Sequence, residues 1–275
     1  MPAPLREALD RFVAASRDDP RVVAAFLGGS FATAKADRHS DLDIYVLVAD
    51  DAWDSFFADR RRFLGRLGDP ILAEDFNQFG FDMLLFQLAA GAPGELALAR
   101  ASNFRHIHGG AYIPLVDKGA ILDGVEFPMF TPEPPNVVLA GRENFVFFWR
   151  NLSKLPAALA RRKLIAAFTC IDLSRRRALN LYELIAFPGE APSGYERAEG
   201  LDPATLGELL IGLRPTFTRL EPAALLDGGL ALAGFLHERG PSIAEKLGVE
   251  YPTRYAEHVI AALAEADDEA GNAEL

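Results

Sequence analysis

Along the first 120 or so residues, helical and strand-like spacing of apolar positions alternate. Residues 4–17 place Leu5, Leu9, Phe12 and Val13 on one helical face, the pattern of an amphipathic helix. The run VVAAFL (22–27) ends in Gly28-Gly29 and reads as a buried strand entering a tight turn. DLDIYVLV (41–48) reads as a second strand, and 51–67 as a helix capped by Asp50 or Asp51. PILAEDF (70–76) and FGFDMLLFQL (79–88) predict two more strands joined around Asn77-Gln78. AYIPLV (111–116) predicts an edge strand, because Pro114 cannot donate to a central ladder.

The pattern then changes. Residues 127–137, FPMFTPEPPNV, are rich in proline and predict a stiff linker over 127–136. Beyond it the periodicity is helical: 136–152, then 156–187, and after a Pro/Gly-rich loop at 188–203, helices near 203–213, 222–239 and 252–266. Pro156, Pro203, Pro222 and Pro252 each suit a first helical turn, where a missing N–H costs little. The expected fold class is α+β. A mixed α/β domain with a central mixed sheet spans 1–126, and a helical bundle spans 137–275 and ends in a frayed acidic tail.

Composition narrows what such a chain does. Of 275 residues, 50% are apolar and 24% charged, as in ordinary globular proteins. No stretch approaches the length of a membrane span, and the charged N-terminus lacks the apolar core of a signal peptide. The single cysteine, Cys170, excludes an internal disulfide and reads as a buried helical thiol. A cytoplasmic protein is expected. The net charge of −11 argues against gripping a nucleic-acid backbone. It is compatible with a nucleotide held through metal ions, and it suits a cationic small molecule.

The chemistry concentrates in Leu27-Gly28-Gly29-Ser30 and, ten residues on, Asp41-Leu42-Asp43-Ile44. Two glycines at a strand end let the backbone approach a ligand closely. Ser30 opens a helix, whose hydroxyl and free N–H groups can hold a phosphate. Asp41 and Asp43, two apart on a strand, point the same way and make a hard-cation site suited to magnesium carried with a triphosphate. A pair of ions there can bind both the attacking and the leaving oxygens of an in-line displacement. A Gly-Gly-Ser alone is a turn in most proteins, and Asp-x-Asp alone is an exposed edge pair. Their joint occurrence in a strand–turn–helix–strand frame carries the reading. Lys35 and Arg38, between the two halves, are placed to touch phosphate, though they also read as solvated loop charges.

The stretch GGSFATAKADRHSDLDIYV resembles the signature of the DNA polymerase β-like nucleotidyltransferase superfamily, a G-[GS] turn followed by D-x-[DE] on the next strand. The resemblance implies that Gly29 and Ser30 contact the triphosphate and that Asp41 and Asp43 bind the metal ions. It also implies a third carboxylate on a later strand. Phe81-Asp82-Met83 fits that setting and makes Asp82 the choice, with Glu74 and Asp75 as competitors. Asp82 would complete a second metal site or act as general base. The layout of the whole chain, including LVDKGAIL (115–122), resembles the bacterial aminoglycoside and streptomycin adenylyltransferases. This implies transfer of AMP from ATP, with magnesium, to a hydroxyl of an aminoglycoside-like acceptor, releasing pyrophosphate.

In the helical half, Glu143, Asp172 and Glu183 sit on otherwise apolar helices and are placed to reach a cleft between the halves and meet acceptor amines. Arginine partners explain Asp172 and Glu183 equally well. RRK (161–163) and RRR (175–177) add six positive charges, read mainly as a solvated face. Most of the cluster Phe145, Phe147, Phe148 and Trp149 reads as core. His106 and His108 read as loop residues, and none of the five histidines forms a zinc grouping. Two other functions compete: a transferase that modifies a protein or tRNA, as in toxin–antitoxin relatives, and a non-catalytic nucleotide binder.

Overall fold

The structure is a computed structural model describing the backbone at residues 2–129 and 133–273, and their side chains except Glu196 and 268–273. It divides into two compact units, Met1–Thr131 and Pro132–Leu275.

The first unit holds α1 (Ala3–Asp18), β1 (Val22–Leu27), α2 (Gly29–Ala32), β2 (Leu42–Val48), α3 (Trp53–Gly65), β3 (Pro70–Phe76), β4 (Asp82–Leu88), β5 (Pro93–Arg100) and β6 (Ile113–Asp117). The strands form one mixed sheet in the order β3-β4-β5-β2-β1-β6, with β2 and β5 parallel and the other pairs antiparallel. β6 is the expected edge strand, and a register shift between Ala25 and Phe26 brings Phe26 opposite Pro114. β5 is the strand that hydrophobic patterning missed. Its GELALAR sequence is rich in residues that favour helix, yet it sits mid-sheet between β2 and β4. Asp50 does not cap α3. A short 3-10 turn over Asp50–Ala52 precedes the helix, and Asp50 Oδ1 instead accepts from the Ser102 N–H.

Alternation along the strands gives the sheet two faces. One carries Leu42, Ile44, Val46, Leu84, Phe86, Leu96 and Leu98, which pack with α1 (Leu5, Phe12) and α3 (Phe56, Phe63) into a closed core. The other carries a smaller cluster around Ala24, Phe26, Leu47, Ala99 and Phe104. Phe127, expected in the linker, belongs to that cluster and packs against Phe26, Phe104, His108 and Tyr112, the last three edge-to-face. An aromatic side chain with a vacant core to fill overrides the stiffness of the prolines that follow it.

The second unit is helical: α4 (Val137–Leu152), α5 (Leu155–Ala160), α6 (Leu164–Ala186), α7 (Tyr195–Ala198), α8 (Pro203–Leu213), α9 (Pro222–Leu247) and α10 (Thr253–Ala273). The single helix expected over 156–187 is two, broken where Arg162 adopts a left-handed φ of 53° and Lys163 N–H bonds back to Ala158 O. Conversely, α9 runs through Pro241 to Leu247, beyond the stop expected at 239, and ends at left-handed Gly248. Tyr251 donates to Leu236 O in the turn that the proline disturbs, and its ring packs on Gly240. The tail expected to fray is helical through Ala273, and residues 274–275 lie outside the described residues.

Phe145, Phe148 and Trp149 are buried in the helical core, while Phe147 lies under Arg150 and Arg177. Arg175 is buried and donates to Thr216 Oγ1 and O, Asp172 Oδ1 and the Tyr195 hydroxyl, tying α6 to α7 and the segment after α8. Cys170 is buried, which pushes its thiol pKa up. Among the described residues, no helix is long and apolar enough to cross a membrane.

Candidate active site

The turn after β1 and the start of β2 interlock. Gly28 N–H donates to Asp43 O at 2.8 Å, which pins the turn to the strand carrying the aspartates. Gly29 has a φ of 59°, and a Cβ built there would lie 1.6 Å from Asp43 Oδ2. The Asp43 carboxylate therefore occupies the space that any larger residue at 29 would need, so the second glycine is required by the Asp43 side chain as well as by backbone torsion. Ser30 then enters α2, where the first N–H groups have no partner inside the helix. The Ser30 Oγ is buried and makes no hydrogen bond in the protein.

Asp43 is paired in register with Glu95 on β5, and neighbours in a ladder project to the same face. Burial pushes the Asp43 pKa up to about 6, and the charges of Asp41 and Glu95 add to the rise. Burial and Asp41 likewise raise Glu95. Asp43 thus feels both other acids and Glu95 feels Asp41, which is the electrostatic setting of a shared cation or proton. Among the described residues no three acid, histidine or cysteine side chains are already gathered as a finished metal cage. The donor set nevertheless suits magnesium with a triphosphate: hard carboxylate oxygens destabilised by mutual repulsion, beside a buried hydroxyl lacking a partner.

Asp82 is not the third carboxylate of this group. It stands opposite Leu98, and Leu98 opposite Val46, so register puts Asp82 on the helix-covered face, away from Asp43 and Glu95. Of its competitors, Asp75 is bound by Arg60 and Arg61 on that same side. Glu74 shares the row of Glu95 through Leu85, but lies two strands beyond Glu95. Glu95 escaped sequence reasoning because its strand did. The available signal was an acid in an Ala/Leu alternation directly after the turn residues of GAPG (91–94).

The remaining candidates sit in different settings. Lys35 and Arg38 are exposed on the loop between α2 and β2. Lys35 N–H bonds to Ser30 O, and Arg38 Nε to His39 Nε2. Asp37 organises this loop by accepting from His39 N–H and from Ser40 Oγ. Glu143 is exposed on α4 in the other unit. Asp172 is taken up by Arg175 and Tyr195, and Glu183 is buried and accepts from Ser193, so both hold the helical unit together.

Sheet, glycine turn and carboxylate strand define a nucleotidyltransferase. The chain belongs to the streptomycin adenylyltransferase family, whose model matches residues 5–188. Transfer of an adenylyl group to an antibiotic is the activity for which that family is named. Among solved structures, an aminoglycoside 6-adenyltransferase from Bacillus subtilis is similar at 13% identity, with 97% of this chain and 99% of that chain covered and a TM-score of 0.41. No curated protein matches the chain.

Proposed function

We propose that the protein transfers AMP from ATP to a hydroxyl of a cationic, aminoglycoside-like small molecule and releases pyrophosphate. The observation that carries the reading is the interlock of Gly29 with Asp43, with Glu95 beside them in register. In this reading the backbone at Gly28 and Gly29 and the Ser30 hydroxyl hold the triphosphate, and Lys35 and Arg38 supply positive charge from the adjoining loop. Magnesium, held by Asp41 and Asp43, would neutralise phosphate charge and orient the α-phosphorus. Glu95 takes the proton of the acceptor hydroxyl at its carboxylate while that oxygen bonds to the α-phosphorus. The bond from the α-phosphorus to the bridging oxygen breaks, and pyrophosphate leaves. A carboxylate whose affinity for protons is raised by burial suits this transfer. The surplus of acids, with exposed Glu143 among them, suits an acceptor bearing amines.

The test is pyrophosphate release with magnesium and each of the four nucleoside triphosphates, across aminoglycosides, lincosamides and a blank. ATP-specific release that depends on an aminoglycoside, with a mass gain of one AMP on the acceptor, is expected. Triphosphate binding without stimulation by any acceptor would overturn the small-molecule reading and turn attention to a protein, an RNA or a binding role.

A further inference from the structure

The glycine turn has a second neighbour besides Asp43. A Cβ at Gly28 would lie 2.7 Å from His108 Cε1, 3.2 Å from His108 Nδ1 and 2.9 Å from Tyr45 Cε2. The imidazole thus packs directly on the backbone of the turn. It reaches that position from a loop some eighty residues later in the chain.

Further contacts fix the ring. Its Nε2 lies 3.0 Å from Ala111 O, and a carbonyl can only accept, so Nε2 carries the hydrogen and Nδ1 keeps its lone pair. Phe26, Tyr45 and Phe127 meet it edge-on at centroid distances of 5.5, 4.8 and 5.0 Å. Phe26 and Tyr45 stack parallel at 4.5 Å, extending the wall along β1 and β2. Burial also lowers the His108 pKa, which keeps the neutral, Nε2-protonated ring in place. The turn is therefore gripped by the carbonyl and carboxylate of Asp43 and by an imidazole whose tautomer and orientation are set by Ala111.

We propose that His108 is a positioning residue for nucleotide binding: its imidazole, locked to Ala111 O, holds the backbone of Gly28 and Gly29, and with it the Ser30 hydroxyl, where they meet the triphosphate. The proposal rests on the reading of that turn as the triphosphate site. Flat and narrow, the histidine ring fits against a glycine backbone. It also donates the one hydrogen bond that prevents it from swinging away. Phenylalanine keeps the shape and loses the bond, glutamine keeps a donor and loses the ring, and alanine loses both.

The test uses the full chain and compares His108→Phe, His108→Gln, His108→Ala and Ser30→Ala. ATP affinity is measured by calorimetry with magnesium, KM for ATP and for the acceptor by steady-state kinetics, and folding by thermal melting. His108→Ala is expected to weaken ATP binding about tenfold, with His108→Phe and His108→Gln between it and the parent. The acceptor KM should stay within about twofold of the parent, because the turn is read as touching only the nucleotide. A purely structural histidine would lower the melting temperature and leave the ATP affinity of the folded protein unchanged. The inference is overturned if Ser30→Ala weakens ATP binding while the folded His108 variants bind like the parent. If Ser30→Ala also binds ATP normally, the triphosphate site itself is wrong, and the inference falls with it. Should His108→Ala fail to fold, the phenylalanine and glutamine variants still decide between these outcomes.

Discussion

The two faces of the sheet in the first unit are built from the same strands, one residue out of phase, and they have opposite characters. On one, Leu42, Ile44, Val46, Leu96 and Leu98 close against α1 and α3 in an apolar core. On the other, the intervening positions Asp43, Tyr45 and Glu95 leave carboxylates half-buried beside a glycine turn. Glu95 and Asp82 are both single acids in apolar strands, and composition does not tell them apart. Parity does: Glu95 shares the face of Asp43, and Asp82 that of Leu98.

The contrast is most sharply tested at the acids of the open face. Asp43→Asn should lower adenylyl transfer by about a thousandfold or more, since in the proposed reaction it removes charge that would hold the ion neutralising the phosphates. Glu95→Gln should lower it by about 10²- to 10⁴-fold, the range for a lost general base. Circular dichroism and melting should show both variants folded. Near-parental turnover in either one would break the assignment of the open face as the active face.

On the closed face the same strand should respond through stability. Ile44→Ala, one residue from Asp43, should cost about 2–5 kcal/mol in denaturant unfolding, because it leaves a cavity in the helix-covered core. Its ATP KM, measured on the folded fraction, should remain close to the parent value. A large change in KM with little loss of stability would mean that the two faces are not separable.

A smaller effect concerns the acid-sensitive edge of this unit. Arg21 donates to both carboxylate oxygens of Asp19 and bridges to Asp59, and the bond from Arg21 holds the Asp19 carboxyl below its ordinary pKa. A depressed folded-state pKa contributes stability that is present above the unfolded value near 4 and is lost as pH falls through the folded value. Asp19→Asn should therefore be less stable than the parent by about 1–3 kcal/mol at pH 7. That difference should shrink as unfolding is measured at progressively lower pH below 4. A constant difference down to pH 2 would show that the contribution of Asp19 is not ionic.

Least affected should be Asp82→Asn. Activity within about twofold of the parent is expected, as for a residue outside a reacting group. A loss comparable to that of Glu95→Gln would restore Asp82 as the third carboxylate and refute the argument from parity.

Much of this was readable from residue order. The run VVAAFL ending at Gly28-Gly29, and the spacing from there to Asp41 and Asp43, mark the turn and the carboxylate strand that the structure interlocks. Strands β1, β2, β3, β4 and β6 followed from local apolar patterning, as did the helical character of the second half. Local patterning failed where neighbours in space decide. GELALAR is compatible with a helix in isolation and becomes a strand because β2 and β4 each offer it a ladder. The break at Arg162 replaced a continuous helix for a different reason: a left-handed residue carries no sequence signal when it is not glycine or asparagine. α9 continues past the stop expected at 239 and accommodates Pro241, with the Tyr251 hydroxyl donating to Leu236 O nearby.

Sequence alone determined the glycine turn, the paired aspartates and the acidic, α+β character of the chain, because each is set by residue type and short-range spacing. Tertiary structure decided which distant residues join them. Glu95 comes beside Asp43 through a parallel pairing between strands some fifty residues apart, and His108 reaches Gly28 through an aromatic cluster drawn from four separate segments. The physical reason is that hydrogen-bonded register and close packing act between segments brought together only on folding. A sequence fixes the parity of each strand about its own axis, and only the assembled sheet fixes which parities share a face.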